Sequence, residues 1–346
     1  MNDRFLRACW KEPVDCTPVW FMRQAGRYMA EYRALRAKHS LFEICRTPEL
    51  ALAVTLQPLR FGVDAAIVFS DILLPLEPMG APVQFSKTDG PIVAPIRCLH
   101  EIERLRLIEP RESLDYVLST IRMLRSELAV PLIGFAGGPF TLASYLIEGG
   151  KSENFARTRQ FMLSEPTAWH ALLKKLSEVI RRHLRAQIEA GVQAVQLFDS
   201  WIGQLSVENY LEFVAPYARS ILSDLRETTV PIIHFGTGTG LLLECMADAG
   251  GTVIGLDWRT ALDDGWKRVG FDHAVQGNLD PATLLAPREI IQKRTASVLH
   301  RAAGRAGHIF NLGHGILPET PEDEVHALVD LVHESTQAST QEFTRR

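Results

Sequence analysis

The residues best suited to chemistry lie in Pro18 to Tyr32, read Pro-Val-Trp-Phe-Met-Arg-Gln-Ala-Gly-Arg-Tyr-Met-Ala-Glu-Tyr. A short apolar run, Val19 to Met22, leads straight into Arg23, Gln24, Ala25, Gly26 and Arg27. Two guanidiniums this close, beside a glycine that lets backbone approach, suit a ligand rich in carboxylates or phosphates. A solvated surface loop with two arginines is the plain alternative. Other apolar runs end in equally capable residues: Ser70-Asp71, Gly137-Gly138-Pro139-Phe140-Thr141 with Ser144-Tyr145, Asp199-Ser200-Trp201, Asp257-Trp258, Gly277-Asn278-Leu279-Asp280 and Gly313-His314-Gly315.

Each also has a structural reading. Asp71, like Asp199 and Ser200, could cap the next helix. Tyr145 at helical spacing suits a core position with its hydroxyl bonded. Trp201 and Trp258 could pack, or wall a ring-shaped ligand. His314 between two glycines is harder to absorb into structure, because the glycines strip away cover from a donor, acceptor and acid. The run Gly236-Thr237-Gly238-Thr239-Gly240 imitates a nucleotide loop, but Leu241 breaks the fingerprint and too few residues follow for a nucleotide domain. A flexible rim loop is the expected reading there. No His-x-x-x-His, His-Glu-x-x-His, G-x-S-x-G or phosphate-loop pattern occurs.

Something must bring these residues together. Eight apolar runs read as strands: Val19–Met22, Ala66–Phe69, Leu132–Phe135, Ala194–Phe198, Ile232–Phe235, Val253–Leu256, Ala274–Gln276 and Ile309–Leu312. Amphipathic helices separate them. The clearest is Ala168 to Ala190, with Leu172, Leu173, Leu176, Val179, Ile180, Leu184 and Ile188 on one face. Phe61-Gly62, Ala190-Gly191, Ala249-Gly250 and Ala306-Gly307 each precede a strand, as left-handed glycine stops would. Such alternation predicts an α/β fold, a single (β/α)8 (TIM) barrel over 1–346, with active residues at the C-terminal strand ends. Pro82–Pro95, centred on Thr88-Asp89-Gly90-Pro91, predicts a β-hairpin inserted after the second strand.

Composition agrees with a globular protein. Of 346 residues, 46% are hydrophobic and the net charge is −4, so nothing points to nucleic acid or an anionic membrane. Cys9, Cys16, Cys45, Cys98 and Cys245 are scattered and odd in number, as expected of reduced thiols. The N-terminus lacks a signal-peptide core and no apolar run would span a bilayer, so a cytoplasmic protein is expected.

Five motifs in order resemble the uroporphyrinogen decarboxylase family: Trp20-Phe21-Met22-Arg23-Gln24-Ala25-Gly26-Arg27-Tyr28, Phe69-Ser70-Asp71-Ile72-Leu73, Gly138-Pro139-Phe140-Thr141-Leu142-Ala143-Ser144-Tyr145, Phe198-Asp199-Ser200-Trp201 and Asn311-Leu312-Gly313-His314-Gly315-Ile316-Leu317-Pro318. The resemblance covers nearly the whole chain. It implies a cofactor-free (β/α)8 enzyme of haem and tetrapyrrole synthesis, a cytoplasmic homodimer that removes four acetate carboxyls from uroporphyrinogen III to give coproporphyrinogen III. It implies substrate binding by Arg23, Gln24, Ala25, Gly26, Arg27, Asp71, Tyr145, Ser200 and His314, and no metal. Asp71 would accept the pyrrole N–H bonds and favour the cation formed when a ring carbon is protonated. Arg23 would clamp a carboxylate or, with the leaving group or a water, donate the proton.

Two other readings compete. Zinc-dependent methyltransferases of corrinoids resemble these decarboxylases but use a His-x-Cys pair and a later cysteine. Here Gly236 follows His234-Phe235 and no cysteine follows Cys245, short of the usual three ligands. A non-catalytic tetrapyrrole carrier would use the same arginines and aromatics.

Overall fold

The structure, a computed structural model, describes residues 2–86, 90–150 and 152–337. Seven strands form one parallel, curled sheet: β1 (Ala66–Ile67), β4 (Leu132–Gly137), β5 (Ala194–Phe198), β6 (Ile232–Phe235), β7 (Val253–Gly255), β8 (Ala274–Gln276) and β9 (His308–Ile309), in that spatial order. Between β1 and β4 lie β2 (Val83–Ser86) and β3 (Gly90–Val93), paired antiparallel with Ser86 opposite Gly90. Thr88 and Asp89, the expected centre of that turn, fall outside the described residues.

The expected first strand, Val19–Met22, makes only a bridge, Val19 to Phe310. The reason is that side chains take its donors. Val19 N–H goes to Asp64 (2.8 Å), Phe21 N–H to Gln24 Oε1 (3.1 Å) and Met22 N–H to Asn311 Oδ1 (3.2 Å). The segment still lies between the two edge strands. Asp64 N–H, just before β1, donates to Val19 C=O (2.7 Å), and Phe310 N–H, just after β9, donates to Pro18 C=O (2.9 Å). β1 is also shorter than expected, because Phe69 N–H turns to the Thr55 hydroxyl (2.9 Å). The expected strand Ile309–Leu312 is reduced to His308–Ile309, with Leu312 bridging Leu279.

Inside the sheet, the floor is apolar. Ile133, Ala194, Ile233, Val253, Ala274 and Ile309 pack with Trp20, and Phe5, Ala8 and Cys9 of the helix Arg4–Cys9 join them. Farther along the strands the interior turns polar and bonded. Trp20 Nε1–H donates to Gln276 (3.0 Å), Gln276 to Gln196 (3.2 Å), and Gln196 reaches Met22 Sδ (3.6 Å). Buried amides of this kind need partners, and each supplies the next.

Outside, the helix Pro166–Ala190 buries Leu172, Leu173, Leu176, Val179, Ile180 and Leu184. Gly191 ends it at φ 117°, where a Cβ would be strained. Two other expected stops differ. Gly250 keeps a positive φ of 123° but with ψ 179° rather than the left-handed helical value, and the helix ahead of Gly307 ends at Ala303, itself left-handed at φ 53°.

Candidate active site

Arg23 stands where the chain leaves Met22 for a tight loop. Its backbone is left-handed, φ 60°, which costs a non-glycine residue on the order of 1–2 kcal/mol. Bonds around it hold that conformation. Met22 N–H is taken by Asn311, Ile316 N–H donates to Met22 C=O (3.0 Å), and Gln24 N–H to Phe21 C=O (3.0 Å). Gln24, expected among the binding residues, is buried with its side chain spent inside the fold: Oε1 on Phe21 N–H, Nε2 on Ala65 C=O (3.1 Å). It braces the loop that carries the arginines. A Cβ on Gly26 would sit 3.0 Å from Arg23 C=O, so glycine keeps this turn tight. Ala25 is half-buried and Arg27 exposed.

Among the described residues neither Arg23 nor Arg27 has a carboxylate partner, whereas most other arginines near acids are paired, such as Arg4, Arg46, Arg60 and Arg181. Crowding by protein lowers the Arg23 pKa. Arg27 adds to the effect, while Tyr145 and Asp71 oppose it.

Asp71 follows β1. Its Oδ1 accepts Leu73 N–H (2.8 Å), a local turn before the short 3-10 helix Leu74–Leu76, so part of the capping expectation holds. Its other oxygen takes no hydrogen bond among the described residues. Burial raises the Asp71 pKa, partly offset by the Leu73 N–H and the Arg23 charge.

Tyr145 projects from the helix Pro139–Glu148, begun at the end of β4. Burial raises its pKa, and the negative charge of Asp71 raises it further. Its ring meets Trp201 edge-on, centroids 6.5 Å apart. Asp199 braces the ends of β4 and β5. Its Oδ1 accepts both Thr141 N–H (3.1 Å) and the Thr141 hydroxyl (2.9 Å), and Thr141 in turn accepts Trp201 N–H (3.3 Å). Asp199 Oδ2 is buried without a partner, and burial pushes the carboxyl up to about 7. Ser200, half-buried, has no bond on its hydroxyl among the described residues, while its carbonyl accepts Thr237.

His314 closes the group. Its Nδ1 accepts Gly315 N–H (2.6 Å), so the neutral ring carries its proton on Nε2 and presents a donor there. Burial lowers its pKa to about 4, and the charges of Arg23 and Arg259 add to that. A Cβ on Gly315 would sit 2.4 Å from Arg23 Cδ, and one on Gly313 would sit 2.2 Å from Trp258 N. Two glycines thus lock the His314 loop against Arg23 on one side and the loop after β7 on the other.

The Gly236–Gly240 run is fastened rather than free. Gly238 N–H donates to buried Asp257, and Thr237 to Ser200 C=O. Sequence reasoning missed Arg259, whose guanidinium lies 3.9 Å over Trp258. The only available signal was a cation two residues past an aspartate that ends a strand. A separate cavity of about 670 Å³ is lined by Cys16, His300, Arg305, His308 and Thr336. Its cation is committed, since Arg305 bonds the Arg301 and Ala302 carbonyls.

Arg23, Asp71, Tyr145 and His314 therefore act on one another, while Ser200, Arg27 and Arg259 lie on the same or adjoining strand-end loops. The class is a parallel α/β protein in which Arg23, without a carboxylate partner among the described residues, faces the under-bonded Asp71 carboxylate that follows β1. A family model described as "Uroporphyrinogen decarboxylase (URO-D)" matches residues 1–335. A "Uroporphyrinogen decarboxylase" of Sorangium cellulosum is 65% identical over 99% of both chains, and one of Carboxydothermus hydrogenoformans 54% over 98% of both. The fold is shared with a methyltransferase from Methanosarcina mazei, at TM-score 0.81 and 21% identity over 96% of this chain and 98% of that one. The chain belongs to the uroporphyrinogen decarboxylase family.

Proposed function

We propose that this protein decarboxylates the four acetate side chains of uroporphyrinogen III to give coproporphyrinogen III and four CO2. The supporting observation is the arrangement at Asp71: one oxygen unbonded, with the uncommitted Arg23 guanidinium acting on it. An eight-carboxylate macrocycle needs cations at its edge and an acceptor for its ring N–H groups. Arg23 and Arg27 supply the first, with backbone from Gln24 to Gly26, and Asp71 supplies the second. Tyr145, Ser200 and the Nε2–H of His314 add hydrogen bonds to the substrate.

The reaction needs an electron sink. A proton adds to the pyrrole carbon beside the acetate-bearing carbon and leaves a delocalised cation. The bond to the carboxylate then breaks, its electron pair flows into the ring, and CO2 departs. A proton on the freed exocyclic carbon makes a methyl group as the ring proton leaves. Asp71 stabilises the cation, a charge absent from the bound substrate that develops as the ring is protonated. His314 is neutral in this role, because its pKa lies near 4.

In this reading Val19–Met22 completes a closed (β/α)8 barrel, supported by its bonds to both sheet edges. The pair β2–β3 is the hairpin inserted in that barrel. The chain forms one domain over 1–346, works as a homodimer and resides in the cytoplasm. Among the described residues no helix is long and apolar enough to cross a membrane.

The test is anaerobic incubation with uroporphyrinogen III and a count of carboxyls on the product. Four per macrocycle is expected. Stoichiometric binding with all eight retained would make the protein a carrier. Stoichiometric zinc in purified protein would favour the methyltransferase reading, but His234 gives that reading little: it is buried, with Nδ1 3.4 Å from Met246 C=O.

A further inference from the structure

We propose that Arg259 is a third guanidinium of the site and grips a propionate of the tetrapyrrole, a carboxylate the reaction leaves in place. This rests on the decarboxylase reading above. Arg259 stands on the loop after β7, two residues beyond Asp257. That loop is pinned to the His314 loop, since Gly313 packs directly on Trp258 N. The Trp258 and His314 rings meet edge-on with centroids 6.2 Å apart. Trp258 is thus the shared wall between His314 and Arg259.

The guanidinium is held but not used up. Its Cζ lies 3.9 Å from the centroid of the Trp258 ring, a cation–π contact. Its Nη1–H donates to Asp257 Oδ2 (2.9 Å), and its backbone N–H donates to Oδ1 (2.9 Å). Asp257 also takes Gly238 N–H, so that buried carboxylate accepts three hydrogen bonds. Nε and Nη2 have no partner among the described residues, and the side chain is 55% exposed. A flat, oriented guanidinium with one edge open is the geometry that receives a carboxylate by two parallel bonds.

Its place selects which carboxylate. Arg23 packs against the His314 loop at Gly315, whereas Trp258, which carries Arg259, packs against it at Gly313 and at the His314 ring. The His314 loop therefore separates Arg259 from Arg23 and the Asp71 side of the site. The groups that occupy such a position in every turnover are propionates.

Coproporphyrinogen III carries only propionates, so it is the discriminating probe. Anaerobic titration of wild type, Arg259→Ala and Arg259→Lys would compare their dissociation constants. Loss of a charge-assisted contact weakens binding about tenfold in Arg259→Ala. Arg259→Lys, which keeps the charge and loses the fork, falls between. In turnover, Arg259→Ala raises KM for uroporphyrinogen III and for its pentacarboxylate intermediate alike, with kcat unchanged. An unchanged dissociation constant in Arg259→Ala overturns the proposal. So does a KM effect confined to the acetate-rich substrate, or a lowered melting temperature with unaltered binding. A wild type that binds coproporphyrinogen III yet releases no CO2 from uroporphyrinogen III would defeat the decarboxylase reading, while the titration would still decide Arg259.

Discussion

Two aspartates bracket β1, and they are treated oppositely. Asp64, just before the strand, is buried and fully bonded: Asn2 (2.9 Å) and Arg4 on Oδ1, Val19 N–H (2.8 Å) and His333 Nε2 (2.7 Å) on Oδ2. It ties the first residues of the chain, the Val19 segment and the helix Glu322–Thr336 to one point. Asp71, just after the strand, has one backbone bond and an oxygen left over. A buried carboxylate normally needs partners. Where the protein supplies them all, the group serves the fold. Asp71 is half-buried, and in the proposed reading the ligand is the partner that its open oxygen lacks. On that proposal the N-terminal end of β1 holds the molecule together and its C-terminal end is kept for chemistry.

Asp71→Asn breaks the comparison hardest. The amide keeps an oxygen for Leu73 N–H but removes the charge that, in the proposed reaction, favours the ring cation. Turnover is expected to fall at least about 100-fold. Melting should stay level or rise at neutral pH, because an ionised carboxylate is costly in a site that raises its pKa. Side-by-side kcat and thermal melting check it. Ordinary turnover in this variant would remove Asp71 from the mechanism.

Asp199 tests an intermediate case, a buried carboxyl with one oxygen bonded and the other orphaned. Its folded pKa is raised to about 7, above the unfolded value of about 4. Below the unfolded value both states hold the proton. As pH rises towards 7 the unfolded chain ionises while the folded one does not, so stability declines across that window by a few kcal/mol at most, on the order set by the linkage relation. Above the folded pKa the decline stops. Asp199→Asn resembles the protonated form and should flatten this limb. Urea midpoints would be compared at about pH 4.5 and about pH 7.5, which bracket the titration. Equal slopes in the two proteins would mean that Asp199 is ionised throughout.

Much of this was legible in the chain. Strand-ending motifs, the amphipathic helix Pro166–Ala190 and the glycine at its end follow from periodicity and backbone sterics, which are local. What sequence could not show is where polar side chains spend their bonds. Gln24 reads as a ligand-binding amide beside two arginines, yet it serves Phe21 and Ala65. Val19–Met22 reads as a strand, yet Asp64, Gln24 and Asn311 intercept its donors, two of them from distant parts of the chain. Arg259 looks like any solvated cation until Gly313 brings its loop against His314. Pairings that span tens or hundreds of residues leave no spacing to read.

At the other end of β1, Asp64→Asn should cost about 2–4 kcal/mol, since it strands partners built around a buried charge. Arg4 is partly exposed and can rehydrate, which limits the loss. Specific activity of the folded fraction should be kept. Urea unfolding followed with activity measured below the transition tests both halves. A variant that keeps its stability but loses turnover would erase the division between the two strand ends.

Gly315→Ala is the finest probe, because it leaves every charged group in place. The added methyl would sit 2.4 Å from Arg23 Cδ and 2.7 Å from its Cγ, close to the root of the side chain. Moving only the far end of the arginine cannot relieve that overlap, so the guanidinium must shift or the His314 loop must open. Because Arg23 is already held left-handed by bonds on both flanks, its backbone cannot yield easily. Misplacement of this size costs about 1 kcal/mol of stability. It should raise KM several-fold. Unchanged KM would mean that the guanidinium accommodates the methyl without losing its grip, and that the glycine serves only the backbone of the His314 loop.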